Sequence, residues 1–268
     1  ILMNYAIKRH YPQLLKVTDQ AERTLEFIKS VAEAQSNLIG KWMSYGFIHG
    51  VMNTDNFTIS GQTLDFGPCA FLDEYKADKV FSSIDRNGRY AYNNQPSIGQ
   101  WNILRLAESL IGLIDKDEKL AIKQIESQII PKLEQFEFKR WQYMAPKFGL
   151  SEFKNEDIFL IQSFLHYLEE EELDFTLSFR NLSDLYKGNS EYFPANKKLE
   201  NFIDLWKKRV QTLPNLAEIN PLFIPRNHQV ERIIEEAYLR HYDGFFEFLE
   251  VLKKPFSDQS EYSKYSLA

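Results

Sequence analysis

Apolar residues set a helical rhythm soon after the start of the chain: Leu25, Ile28, Ala32, Leu38, Ile39 and Trp42 recur at spacings of three, four or their sums. Thr18 or Asp19 supplies a capping side chain in front of them, and Gly46 ends the run, so a long amphipathic helix is predicted there. The opening residues Leu2 to Ile7 carry a pattern that also suits a helix. The period then changes. Phe57-Thr58-Ile59, a turn centred on Gly61, and Thr63-Leu64 read as a small β-hairpin that sets Asn56 and Asp65 at neighbouring strand ends. From Gly67 to Pro96 no period holds and turn-forming residues dominate, which predicts a long ordered loop. Beyond it the helical period returns over Ile98 to Ile114, Glu118 to Phe138, Asp157 to Glu172, Leu199 to Gln211 and Val230 to His241. Pro131 interrupts the second of these and predicts a kink or a break. The fold class expected is mainly α.

Composition narrows the partners. The 268 residues are 44% hydrophobic, enough for one large core, and the 21 Phe and 14 Tyr predict a bulky helical one. Net charge is −6, with basic residues scattered among acids. No basic stripe marks a nucleic-acid surface. No apolar run reaches the roughly 18 residues that suggest a membrane span, and no charged n-region followed by a short apolar h-region opens the sequence. A soluble protein without nucleic-acid or membrane partners is expected. The single cysteine, Cys69, excludes an internal disulfide and a multi-cysteine zinc site, in keeping with a reducing compartment.

The densest chemistry lies between His49 and Gly67. His49-Gly-Val-Met-Asn-Thr-Asp-Asn56 is followed by Asp65-Phe-Gly67. Protein kinases carry H-R-D-L-x-x-x-N and then D-F-G, where the first Asp orients the attacking hydroxyl and the Asn and second Asp hold magnesium. Laid on that template, His49, Asn56 and Asp65 align, but the catalytic Asp position is Val51, which can neither accept a proton nor hold an oxygen nucleophile. A carboxylate stands elsewhere in the loop, at Asp55. Asn56 and Asp65 are hard oxygen ligands suited to Mg²⁺ or Mn²⁺ completed by phosphate oxygens and water. Asp55 is the candidate general base, one residue from a metal ligand; its blander alternative is an Asx-turn residue. No G-x-G-x-x-G loop occurs, and the residues before His49 leave no room for a five-stranded sheet. The nucleotide-binding N-terminal lobe is therefore expected to be missing from this chain, which reads as a fragment of a longer protein.

The run HGVMNTDN, the continuation LDFGPCAFLDEY (Leu64 to Tyr75) and FSSIDRNGRYAYNNQPSIGQWNILRLAESL (Phe81 to Leu110) resemble the SelO family, also called YdiU. Looser likeness continues through DFTLSFRNLSDL (Asp174 to Leu185), NPLFIPRNHQVERIIEEA (Asn220 to Ala237) and KKPF (Lys253 to Phe256). The resemblance implies a protein-kinase-like C-terminal lobe with a small β-hairpin at the active site. It implies residues 1–150 as the loop-bearing core and 151–268 as a helical extension. It further implies a protein adenylyltransferase that binds ATP in a flipped orientation with Mg²⁺ or Mn²⁺ and moves AMP onto Ser, Thr or Tyr hydroxyls of protein substrates. In that assignment Asp55 is the proton acceptor, Asn56 and Asp65 hold metal, and Asp65 also lies near the nucleotide phosphates. The location implied is cytoplasmic in bacteria or mitochondrial in eukaryotes. A phosphotransferase, of proteins or of small molecules, and a non-catalytic pseudokinase scaffold are the competing readings; Val51 weighs against the first and the retained metal-type ligands against the second.

Around this centre, His49 is read as a packing residue under the loop and Asn53 as a hydrogen-bonding support. Cys69 is read as a small buried hydrophobe. Arg86, Arg89, Tyr90 and Tyr92 either dock a protein substrate or pin their loop to the core. Arg226 is read as a ligand contact or one half of a buried ion pair, and Glu169 to Glu172 as a solvated helix face.

Overall fold

The computed structural model describes residues 1–268 and is mainly α-helical. Helices α1 (Leu2–His10) and α2 (Gln20–Ser44) lead to strand β1 (Phe47–Ile48), which pairs antiparallel with β2 (Ala70–Phe71). There follow α3 (Gln95–Ser109), α4 (Ile111–Ile114), α5 (Glu118–Gln128), α6 (Ile130–Leu133) and α7 (Gln135–Met144). The remainder contains α8 (Asp157–Glu170), α9 (Phe175–Arg180), α10 (Leu182–Lys187), α11 (Lys197–Arg209), α12 (Asn227–Tyr238) and α13 (Asp243–Leu252). No helix is long and apolar enough to cross a membrane.

Helix α2 is the axis of the molecule. Asp19 caps it by accepting from Glu22 N–H at 2.8 Å, satisfying one of the donors a helix start leaves open. Its apolar face, including Ile28, Val31, Ala32 and Ile39, is fully buried against α3 and α7. Contact with α7 is close because Gly40 brings the backbones together: a Cβ there would stand 2.9 Å from Lys139 O. The main core continues through a largely edge-to-face aromatic cluster of Phe148, Phe164, Phe179 and Phe202, and α8 lies against α11. A smaller cluster of Phe223, Ile233, Phe248, Val251 and Tyr265 joins α12, α13 and the C-terminal turn.

Three expectations meet a different structure. The hairpin between Asn56 and Asp65 contracts to one antiparallel bridge, Phe57 with Thr63, and the regular strands form outside it. The arms are too short for a ladder, and Thr58 closes the turn through its side chain, which donates to Gln62 O at 2.7 Å and accepts from Gln62 N–H at 3.1 Å. The helix expected from Glu118 to Phe138 breaks into three, as a kink or break at Pro131 foreshadowed, with Pro131 in the first turn of α6, where its missing N–H costs nothing. Glu169 to Glu172 is more than a solvated face: Glu169 accepts from Ala77 N–H at 2.9 Å and Glu171 from Asn196 at 2.6 Å, so the run anchors the long loop and the start of α11.

Candidate active site

The segment after α2 is held from several sides. Gly46, at φ +71°, turns the chain out of the helix into β1, and β2 carries the continuation beyond Asp65 back alongside it. Gly50, at φ +82°, lets the loop pass Pro68, whose carbonyl would lie 2.8 Å from a Cβ. His49 is fully buried against the Trp42 ring, 5.3 Å between centroids. Its Nε2 donates to Leu64 O at 2.7 Å, leaving Nδ1 to face Val51 N–H at 3.4 Å. The histidine thus ties the start of the loop to the residue immediately before Asp65.

Two amides from α3 complete the support. Gln95 accepts from His49 N–H at 3.0 Å and donates to Phe47 O at 2.9 Å, while Asn102 donates to Met52 O at 3.0 Å. Both side chains are buried. Neither was singled out from sequence; the available signal was an amide at the helix N-terminus and another two turns later on the same face. Tyr92 proves to be a pin: it is fully buried and its hydroxyl donates to Met43 O at 2.6 Å. Burial carries its pKa far above the ordinary tyrosine value. Tyr90 bonds Asn53 through its hydroxyl, and Arg89 lies over the Trp101 ring at 4.7 Å. Arg86 remains exposed.

On this frame, Asn56 and Asp65 meet. Asn56 Nδ2 donates to Asp65 Oδ2 at 3.0 Å and to Val51 O at 3.2 Å, so both amide hydrogens are used and Oδ1 stays available as an acceptor. Asp65 is exposed and sits at φ +58°, a left-handed conformation uncommon for a residue with a side chain. Asp55 lies on the exposed 3₁₀ turn Thr54–Asn56, whose start has no side-chain cap, and nothing in the protein bonds its carboxylate. No Lys, Arg or His pairs with Asp55 or Asp65. No three His, Cys, Asp or Glu side chains gather into a cage. Two hard oxygen donors with room for water and phosphate oxygens fit Mg²⁺ or Mn²⁺ and fail the closed tetrahedral demand of structural zinc. Cys69 is half-buried, with Sγ 3.5 Å from Phe66 O, and burial pushes its thiol up.

Arg226 lies in a different setting. It is fully buried and bridges Asp73, Nη1 to Oδ1 at 2.6 Å, to Asp174, while Nη2 donates to Ser266 O at 2.8 Å. Asp174 also caps α9 by accepting from Leu177 N–H at 2.7 Å. Burial opposes both charges. For Arg226 the two carboxylates overcome it and hold the guanidinium above its usual pKa; for Asp174 burial prevails over Arg226 and Leu177 and raises the carboxyl. Of the two sequence readings for Arg226, the ion pair is the one observed.

Comparison with known proteins gives a consistent match. The family model described as "Protein adenylyltransferase SelO" matches residues 1–254. A "Protein nucleotidyltransferase YdiU" of Rhizobium rhizogenes (strain K84) is 42% identical over 281 residues, covering 99% of this chain and 55% of that protein. Those of Rhizobium etli (strain CIAT 652) and Agrobacterium fabrum (strain C58) are likewise 42% identical, covering 98% and 97% of this chain and 55% of each relative. The chain thus spans little more than half the length of the curated relatives it matches.

Proposed function

Because the chain belongs to the SelO family of protein adenylyltransferases, we propose that it is the C-terminal, kinase-like lobe of an enzyme moving AMP from ATP to Ser, Thr or Tyr hydroxyls of proteins. Residues 1–150 carry the reacting loops in this reading, and residues 151–268 form a helical extension that braces them. The nucleotide-binding lobe belongs to the part of the relatives' length that this chain does not span. The observation that carries the reading is the pairing of Asn56 with Asp65 beside an unbonded Asp55, with no cation of the protein neutralising either acid.

Asn56 Oδ1 and the Asp65 carboxylate would hold Mg²⁺ or Mn²⁺, which when bound neutralises charge on the nucleotide phosphates. The chain's own contribution is a base and a rigid mount. Asp55 accepts the proton of the acceptor hydroxyl as its oxygen attacks the α-phosphorus; a new P–O bond forms, the bond to the bridging oxygen breaks, and pyrophosphate leaves. Val51, at the position where a kinase holds its hydroxyl-orienting Asp, leaves that role vacant. His49, Gln95 and Asn102 hold the loop's backbone, so the reacting groups are fixed before substrate arrives. The left-handed backbone at Asp65 turns its carboxylate toward Asn56 at a local conformational cost that the surrounding bonds sustain.

The test uses the full-length protein with ATP labelled at either the α or the γ position. Transfer of the α label to protein supports the assignment. Transfer of the γ label would make it a phosphotransferase, and transfer of neither would make it a scaffold.

A further inference from the structure

Helices α12 and α13 double back on one another through residues 239–242, so that a Cβ at Gly244 would stand 3.6 Å from Arg232 Nη1. The hairpin buries Ile233, Phe248 and Val251 in the smaller core cluster. A second set of apolar side chains is left in water. Ile234 and Tyr238 are one turn apart on α12, the latter 85% exposed, and Leu239 extends them onto the link. Tyr242, Phe245, Phe246 and Leu249 follow at helical spacing into α13, with the Phe245 and Phe246 rings 5.3 Å apart. A helix with apolar residues beyond its core-facing stripe is normally covered there too. The exposed fractions of these seven residues amount to about four whole residues, which at roughly 200 Å² each is on the order of 800 Å². Monomers rarely keep an apolar patch above about 600 Å², whereas a stable interface covers about 800 Å² on each partner. The area is that of an interface.

The charges around the patch select the partner. Arg232, Glu247 and Glu250 are already paired within the chain, with Glu236, Lys264 and Lys253. Glu231, Glu235, Arg240 and Asp243 are exposed and have no ionic partner. Glu231 and Glu235 share the α12 face of Ile234 and Tyr238, and Arg240 follows the end of that helix at the hairpin tip. We propose that this face is a two-fold interface, on which a second copy of the chain packs its own α12–α13 hairpin antiparallel to the first. A two-fold axis midway between Glu231 and Arg240 sets the arginine of each copy against the glutamate of the other. One arrangement thus covers the apolar area and pairs free charges at both ends. A partner of uniform charge would meet one sign and repel the other.

Sedimentation equilibrium on the full-length protein tests this, and it reports independently of any transfer assay. The wild type is expected to dimerise with a Kd in the micromolar range or tighter. Arg240→Glu and Glu231→Arg, both exposed substitutions verified for folding by thermal melting, are each expected to weaken the dimer by at least about tenfold, because like charges then meet at both ends. An equimolar mixture of the two variants is expected to recover dimer of wild-type strength, since opposite charges face each other again. Phe246→Glu is expected to leave monomer, alone or mixed with either variant. A full-length protein that stays monomeric at about 100 µM overturns the proposal. So does a dimer that none of these substitutions weakens, or a mixture of the two charge variants that remains as weak as each alone.

Discussion

Two groups of acids in this protein receive opposite treatment. Asp174 in the interior and Asp73 at its edge, with 34% of its side chain exposed, converge on the buried Arg226, so each of these acids meets an internal cation. Asp55 and Asp65 stand on exposed loops with no basic residue beside them, and the only polar side chain paired with Asp65 is a neutral amide. The Arg226 group uses its charges on one another. The loop group leaves its charge uncompensated, which raises no large penalty in water but leaves it available for an external cation. The contrast also separates roles: removing a member of the first group should cost folding, and removing a member of the second should cost chemistry.

Arg226→Met is the harshest way to test this division. It strands the buried Asp174 carboxylate without its cation and leaves the part-exposed Asp73 to water, and a loss of about 3–5 kcal/mol in urea unfolding is expected, typical of breaking one side of a buried ion pair. A loss below about 1 kcal/mol would show that the hub is solvated and the contrast false. Asp55→Asn in the full-length protein approaches the division from the other side. AMP transfer should fall by about 10²- to 10⁴-fold, the usual contribution of a positioned base, while stability stays within about 0.5 kcal/mol. A folding defect of Arg226 size at Asp55 would merge the two groups into one.

Lys147 sharpens the comparison because it is interior yet has no acidic partner. It is 3% exposed and surrounded by rings, with Nζ 4.3 Å from the Phe179 centroid, 5.3 Å from Tyr45 and 5.7 Å from Phe175. Burial lowers its pKa to about 7. A lysine depressed in the folded state binds more protons when unfolded over the interval from about 7 to its ordinary value, so stability should rise with pH there. The expected slope between pH 7.5 and 9 is up to about 1.4 kcal/mol per pH unit, and Lys147→Met should abolish it. A slope unchanged in the variant would place its origin elsewhere. The smallest effect is expected at Gly61, at φ +70°, where a Cβ would come within 2.8 Å of Ala34 Cβ and 3.1 Å of its backbone. Gly61→Ala should cost about 1–2 kcal/mol through left-handed strain, with the close approach to Ala34 adding to it. A neutral result by thermal melting would mean that the turn relaxes freely.

The parts of this arrangement visible beforehand were the local ones. Helix α2 was legible because its apolar period and the Asp19 cap are written into adjacent residues. The side-by-side placement of Asn56 and Asp65 was expected from a hairpin, yet it arises with only one bridge, because His49 reaching Leu64 O and the Thr58 side chain do much of the work assigned to strand pairing. Helices α9 and α10 span six residues each, too short for a period to register. The Arg226 hub was visible only as one of two possibilities, since its partners lie 153 and 52 residues away and no rhythm links them. Gln95 and Asn102 were missed for the same reason: their partners are backbone carbonyls and N–H groups of a distant loop, to which any side chain pattern is blind.

The separation of Asp73 from Arg226 has a consequence during biosynthesis. Ribosomes add about 5–20 residues per second, so the 153-residue interval keeps Asp73 waiting on the order of ten to thirty seconds for its counter-charge to emerge. During that time Asp73 follows β2 closely in the nascent chain, and the loops that carry Asp55 and Asp65 precede it. Only when Arg226 arrives, with Ser266 supplying its carbonyl another 40 residues later, can the hub close. Closure of the hub that joins the segment after β2 to the start of α9 is thereby deferred until long after both have been made.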